Sequence, residues 1–67
     1  MAANFLADKS GNIVSFTKLN EPVEGHSDYE FRKGSSSFVC TIHFRLVNHV
    51  AQNFDYYSQI NIEQSAV

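Results

Sequence analysis

The clearest pattern along the chain is an alternation of large apolar and mostly polar side chains between Phe38 and Val47. Period-two alternation, rich in β-branched and aromatic residues, is typical of a half-buried strand. We therefore predict a strand over residues 38–47. Its apolar side is formed by Phe38, Cys40, Ile42, Phe44 and Leu46.

A second strand is predicted just upstream, over residues 29–33, with residues 34–37 as the turn between the two. Register matters here because a slip of one residue moves every side chain to the opposite face of a sheet. The expected register keeps the apolar faces together through the pairs Lys33–Phe38, Phe31–Cys40 and Tyr29–Ile42.

The N-terminal part predicts another hairpin, with strands at residues 4–7 and 12–19. The loop between them, residues 8–12, contains Gly11, which we expect in a left-handed conformation. One face of this hairpin then carries Leu6, Val14 and Phe16. Residues 20–27 are predicted to form an exposed, acidic connection to the next strand.

The C-terminal segment supports two interpretations. Alternation of Phe54, Tyr56, Ile60 and Ile62 predicts a fifth strand, and the poor helix formers in this stretch favour it. The expected cross-strand pairs are Leu46–Phe54, Phe44–Tyr56, Cys40–Ile60, Phe38–Ile62 and, on the other face, Arg45–Asp55. The alternative is a helix across the sheet within residues 47–61, because Val47, Val50, Phe54 and Tyr57 recur at helical spacing.

These elements predict a mainly β fold, a small antiparallel meander of about five strands in a single domain over residues 1–67. An apolar sheet face must be covered. Closure into a small barrel would cover it, and so would an open sheet packed in a dimer. The third arrangement is an α+β fold in which a C-terminal helix covers the sheet.

Composition narrows the class of protein. One cysteine in 67 residues excludes an internal disulfide, and a core of this size rarely supplies more than about 3–5 kcal/mol, so we expect a homo-oligomer. A net charge of −2 with scattered Lys and Arg argues against nucleic acid as a partner. No apolar stretch approaches the roughly 20 residues of a membrane span, and no targeting segment is visible, so we expect a cytoplasmic protein.

Candidate chemistry is sparse. Cys40, His43 and His49 have a spacing that superficially suits zinc, but Cys40 and His43 point to opposite faces of a strand, so we expect no metal site. The polar face offers the most interesting cluster. The predicted register aligns Asp28, His43 and an exposed Tyr57 in one row, with Arg45 and Asp55 beside them.

A carboxylate beside an imidazole can serve acid–base chemistry, but a flat exposed sheet lacks the pocket that catalysis needs. No catalytic or cofactor-binding motif is present, so we expect no cofactor and favour a protein without enzyme activity, with a catalytic subunit left open as an alternative. The leading hypothesis is a non-enzymatic protein-interaction or regulatory module that binds a protein partner or itself through the face or edge of the sheet.

Two alternatives belong to other classes. A small β-barrel could bind single-stranded nucleic acid by stacking bases on aromatic side chains. A ligand-binding or catalytic subunit could instead form its site at a dimer interface, with His43 and Asp28 in that site.

Overall fold

The computed structural model describes residues 4–58 and contains a four-stranded antiparallel sheet in the order β1-β2-β3-β4. The strands are β1 (Asn4–Ala7), β2 (Ile13–Lys18), β3 (His26–Lys33) and β4 (Ser36–His43). The predicted mainly β meander is therefore confirmed, with four strands in place of about five.

The first hairpin forms as predicted. Gly11 has a φ of 84°, and its N–H donates to the carbonyl of Asp8 at 3.0 Å. Leu6 pairs with Val14, and both side chains lie on the face that forms the core.

The hairpin between β3 and β4 has a tighter turn than predicted. Lys33 pairs with Ser36, so that only Gly34 and Ser35 lie between the strands. Gly34 has a φ of 61°, and a glycine at the first central position is the signature of a type II′ turn, whose twist matches that of the strands.

The predicted register of this hairpin is therefore wrong by two residues, although the apolar faces are those expected. Phe31 lies opposite Phe38 instead of Cys40, and Tyr29 lies opposite Cys40 instead of Ile42. A shift of two residues preserves the alternation of faces, so the hydrophobic pattern alone could not distinguish the two registers.

The strand predicted over residues 38–47 ends at His43. A 3₁₀ turn, Phe44–Leu46, and a short helix, α1 (Val47–Gln52), follow it, and residues 54–58 are again helical. Two hydrogen bonds redirect the chain. The N–H of Phe44 donates to the carbonyl of Gly25 at 2.8 Å, and the N–H of Arg45 donates to Nδ1 of His43 at 3.2 Å.

The fifth strand is consequently wrong where it can be tested, and the alternative of a C-terminal helix over the sheet is confirmed. Phe54 and Tyr56 lie in a helical segment and do not pair with β4. The predicted cross-strand pair of Arg45 and Asp55 does not form either, because Arg45 lies in the 3₁₀ turn and Asp55 in the helical segment. The predicted partners Ile60 and Ile62 lie outside the described residues.

The core lies between the sheet and the helical segment. Phe38 of β4 meets Phe54 edge-on, with ring centroids 5.0 Å apart, and stacks on Phe31 at 5.4 Å. The C-terminal end of α1 is fixed to the loop between β1 and β2, because the carbonyl of Gln52 accepts a hydrogen bond from the N–H of Lys9 at 3.0 Å. The buried apolar residues are Val14, Tyr29, Phe31, Phe38, Val47, Val50, Ala51 and Phe54.

Candidate functional site

The face of the sheet opposite the helix carries a mixture of polar and exposed apolar side chains. Phe5, Ile13 and Val39 are 59%, 70% and 42% exposed, respectively. Their polar neighbours lie in cross-strand pairs: Ser15–Arg32, Thr17–Glu30, Asp28–Thr41 and His26–His43. We call this surface the open face.

The predicted row of Asp28, His43 and Tyr57 does not form. Because the hairpin register is shifted by two residues, Asp28 lies opposite Thr41, and His43 lies opposite His26. Asp28 and His43 still lie on the open face, but diagonally and not side by side.

The other three members of the predicted cluster lie apart from this row. Tyr57 is half-buried against the core and not exposed as predicted, because the helix turns it toward the sheet. Arg45 lies in the 3₁₀ turn over the ring of Phe44, at 5.7 Å from its centroid. Asp55 accepts a hydrogen bond from Lys33 Nζ at 2.8 Å.

Asp28 has a structural role at the end of the sheet. One of its carboxylate oxygens accepts a hydrogen bond from the side-chain amide of Asn20 at 2.7 Å, and the other accepts one from the hydroxyl of Thr41. The side-chain oxygen of Asn20 in turn accepts bonds from the hydroxyl of Ser27 and the N–H of Asp28. The carboxylate therefore holds the β2–β3 connection against the sheet.

His43 and His26 form a compact aromatic contact beside this connection. Their ring centroids are 5.0 Å apart, edge to face, and His43 also stacks on Phe44 at 4.8 Å. Nδ1 of His43 caps the 3₁₀ turn by accepting the N–H of Arg45, which places the proton of the neutral ring on Nε2. The imidazole thus serves the chain reversal after β4.

Asp8 and Lys33 form an ion pair that was not predicted from the sequence. The Asp8 carboxylate accepts hydrogen bonds from Lys33 Nζ at 3.0 Å and from the N–H groups of Ser10 and Asn12 at 2.9 Å. The hydrogen bond from the ammonium of Lys33 is the main reason that the pKa of Asp8 is lowered. An Asp side chain often accepts a hydrogen bond from the backbone N–H two residues on. The spacing of Asp8 and Ser10 could therefore have indicated a structural role for Asp8 in this loop.

Cys40 is half-buried on the core face, opposite Tyr29, whereas His43 lies on the open face. Burial, assisted by the charge of Asp28, raises the pKa of the Cys40 thiol to about 11. The thiolate is the reactive form, so this cysteine is a poor nucleophile at neutral pH. Among residues 4–58, no group of three or more His, Cys, Asp or Glu side chains converges as a metal site.

The edge of the sheet formed by β4 is the most distinctive feature of the surface. Lys33 and Ser36 flank a two-residue turn, so they form a hydrogen-bonded pair, and such pairs alternate along the ladder. Ser36, Phe38, Cys40 and Ile42 therefore direct their backbone groups toward β3. The backbone N–H and C=O groups of Ser37, Val39, Thr41 and His43 point away from the sheet.

Within residues 4–58, the strand at this edge carries none of the charges, prolines or bulges that usually protect an edge strand. Pairing with β3 is continuous from Lys33–Ser36 to His26–His43, so no bulge interrupts β4. The strand contains no Lys, Arg, Asp, Glu or Pro. Natural proteins commonly use charges, prolines and bulges to prevent an edge from pairing with another chain.

Comparison of the chain with known protein families, with curated proteins and with solved structures found no match in any of the three. In the part of the chain that the structure describes, no helix is both long and apolar enough to cross a membrane. No matched protein therefore indicates a role for the edge of β4. The edge consists of eight residues in continuous register with β3, and its outer backbone groups are directed away from the sheet.

Proposed function

We propose that the chain is a non-enzymatic interaction module that binds another polypeptide by adding a strand to β4. The observation that carries this proposal is the long, uncharged and unbroken edge of β4, over Ser36–His43. Strand addition obtains affinity from main-chain hydrogen bonds and specificity from alternate side chains.

The two edges of the sheet differ in their suitability. Among the described residues, β1 has four, whereas β4 has eight and directs the backbone groups of every second residue outward. Its open-face side chains, among them Val39 and Thr41, are exposed and would flank an added strand. The apolar residues on the other side, Cys40 and Ile42, are only partly covered by the core.

The polar groups give less support to the alternatives from the sequence. Asp28 and His43 are engaged in hydrogen bonds that shape the fold, which weakens the hypothesis of a catalytic or ligand site. The hypothesis of a nucleic-acid barrel is weakened as well. Phe31 and Phe38 are buried, and Lys33 lies between two carboxylates. Binding of single-stranded nucleic acid would need exposed aromatic rings and free basic groups.

A peptide array tests the proposal. The fluorescently labelled chain, at nanomolar concentration, is applied to immobilised eight-residue peptides that alternate apolar and uncharged polar residues. Scrambled peptides of the same composition, without alternation, serve as the peptide control. We expect retention on the alternating peptides.

Two variants at one position provide the matched comparison. V39P removes an outward N–H, which an edge strand tolerates, whereas V39T keeps the N–H and the β-branched shape. We expect V39P to lower retention at least tenfold and V39T to leave it nearly unchanged, with the same circular dichroism spectrum for both. Equal retention by the wild-type chain and V39P would contradict strand addition at β4.

A further inference from the structure

Building on the proposed function, we infer that the strand added to β4 is β4 of a second copy of this chain, paired antiparallel about a two-fold axis at Cys40. The two sheets then join into one continuous sheet of eight strands, with both helical segments on the same face. An isologous contact of this kind uses one patch on both copies.

The direction of the backbone groups fixes this register. Side chains directly opposite each other in a sheet lie on the same face, so the two-fold axis must pass through a residue position and not between two residues. The outward-pointing residues are Ser37, Val39, Thr41 and His43, and their midpoint is Cys40. With the axis there, Val39 pairs with Thr41 of the second copy, and Ser37 pairs with His43 of the second copy.

Neighbouring registers use the edge less well. An axis at Val39 would place His43 opposite a turn residue, Ser35. An axis at Thr41 would place Ser37 opposite Arg45, which has already left the strand for the 3₁₀ turn. The axis at Cys40 is the register that pairs all four outward residues within the limits of β4. It gives about six hydrogen bonds between the copies from free backbone groups, because the carbonyl of His43 already accepts the first bond of the 3₁₀ turn.

The side chains on the core face are compatible with this arrangement. Phe38 would lie opposite Ile42 of the second copy, and the two Cys40 side chains would face each other across the axis. Cys40 and Ile42 are only partly buried within one chain. The second copy therefore extends the apolar layer over the two side chains that the helical segment leaves half-covered.

The charges permit a second copy at this edge. The strand itself contains no Lys, Arg, Asp or Glu, although the chain carries a net charge of −2. The nearest acidic groups on the sheet, Asp28 and Glu30, belong to β3. Three strand spacings separate β3 from its equivalent, about 14 Å, which exceeds the screening length of about 8 Å at physiological ionic strength.

Light scattering over a dilution series tests the association. We expect a mass approaching twice the chain mass of 7.6 kDa at high concentration for the wild-type chain and for V39T. V39P and V39K should remain monomeric, with a dissociation constant raised at least 100-fold, because one lacks an outward N–H and the other places a charge at the new contact. V39K keeps the N–H, so it serves if V39P folds poorly.

Disulfide trapping tests the register. V39C and T41C are each made in a C40S background and oxidised with diamide, alone and as a mixture. The mixture should cross-link at least fivefold faster than either variant alone, because the proposed register places these two positions directly opposite each other.

The outcomes separate the two proposals. A dimer that persists in folded V39P and V39K, or a wild-type chain that stays monomeric at high concentration, would overturn pairing of β4 with itself. In the second case, V39P-sensitive retention on the peptide array would still support strand addition by a different polypeptide. Loss of both results would overturn the proposed function as well.

Discussion

The ammonium of Lys33 donates a hydrogen bond to Oδ2 of Asp8 at 3.0 Å, and this contact ties the end of β3 to the loop between β1 and β2. The Asp8 side chain is only 4% exposed, whereas Asp55, the second acceptor of Lys33, is 83% exposed. The contact therefore joins two hairpins through one nearly inaccessible carboxylate.

We expect D8N to flatten the acid limb of the stability profile. The hydrogen bond from Lys33 is the main cause that lowers the pKa of Asp8 below its ordinary value of 3.8, and the N–H groups of Asn12 and Ser10 assist. A lowered pKa contributes stability that is fully present above the ordinary value and lost as the pH falls through the folded value. Urea midpoints between pH 6 and pH 2 measure this dependence.

The matched control for that experiment is D55N, which removes the exposed partner of the same ammonium. Exposed ion pairs contribute little, so D55N should retain most of the wild-type loss of stability in acid. An acid limb in D8N as steep as that of the wild-type chain would contradict the structural role of Asp8.

We expect E24N to stabilise the fold by about 0.5–1 kcal/mol. Glu24 has a φ of 54° and precedes Gly25, whose φ is 82°, in the turn that pairs Val23 with His26. Two positive φ values define a type I′ turn, and Asn-Gly is its preferred sequence. Urea unfolding compares E24N with E21N, which makes the same charge change at an exposed position. Equal effects of both substitutions would contradict strain at Glu24.

We expect G25A to be more destabilising than G11A. Both glycines have a left-handed φ, of 82° and 84°, which costs alanine about 1–2 kcal/mol. An added Cβ meets nothing within 4 Å at Gly11, but at Gly25 it would lie 2.7 Å from Nε2 of His43. Overpacking of this kind adds about 1 kcal/mol or more.

A double-mutant cycle identifies His43 as the source of this extra cost. In an H43A background, G25A should cost about as much as G11A, because the clashing ring is absent. An undiminished penalty for G25A in that background would mean that the ring of His43 does not approach this turn.

Phe54 and Tyr56 distinguish the observed helix from the predicted strand. In a strand they would share the buried face, whereas in the structure Phe54 is 2% exposed and Tyr56 is 65% exposed. We expect F54L to cost about 1 kcal/mol and Y56L less than about 0.5 kcal/mol in free energy of unfolding. Similar losses for the two variants would favour the strand.

Much of the sheet was predictable from the sequence because local signals and face alternation agree there. The loop with Gly11 and the shared face of Leu6 and Val14 are examples. The two-residue error between β3 and β4 has a different origin. The type II′ preference of Gly34 selected a tighter turn, and either register would have satisfied the hydrophobic pattern.

The C-terminal segment could not be decided locally. The apolar residues of segment 47–58 fit both the helical period of 3.6 residues and the strand period of two. The poor helix formers in this segment favour the strand. Burial of Val50, Ala51 and Phe54 against the sheet outweighs that preference, a tertiary effect outside any short window. The candidate polar row failed for the same two reasons, since it required both the wrong register and a fifth strand.

The covering segment follows the sheet in chain order, so the two layers of the core come from consecutive parts of the chain. A single cut between β4 and the 3₁₀ turn would leave all four strands intact but detach Val50, Ala51 and Phe54, which complete the core around Phe31 and Phe38. A sheet needs a second layer over its apolar face. Cleavage at this one junction should therefore unfold the sheet as well as release the helical segment.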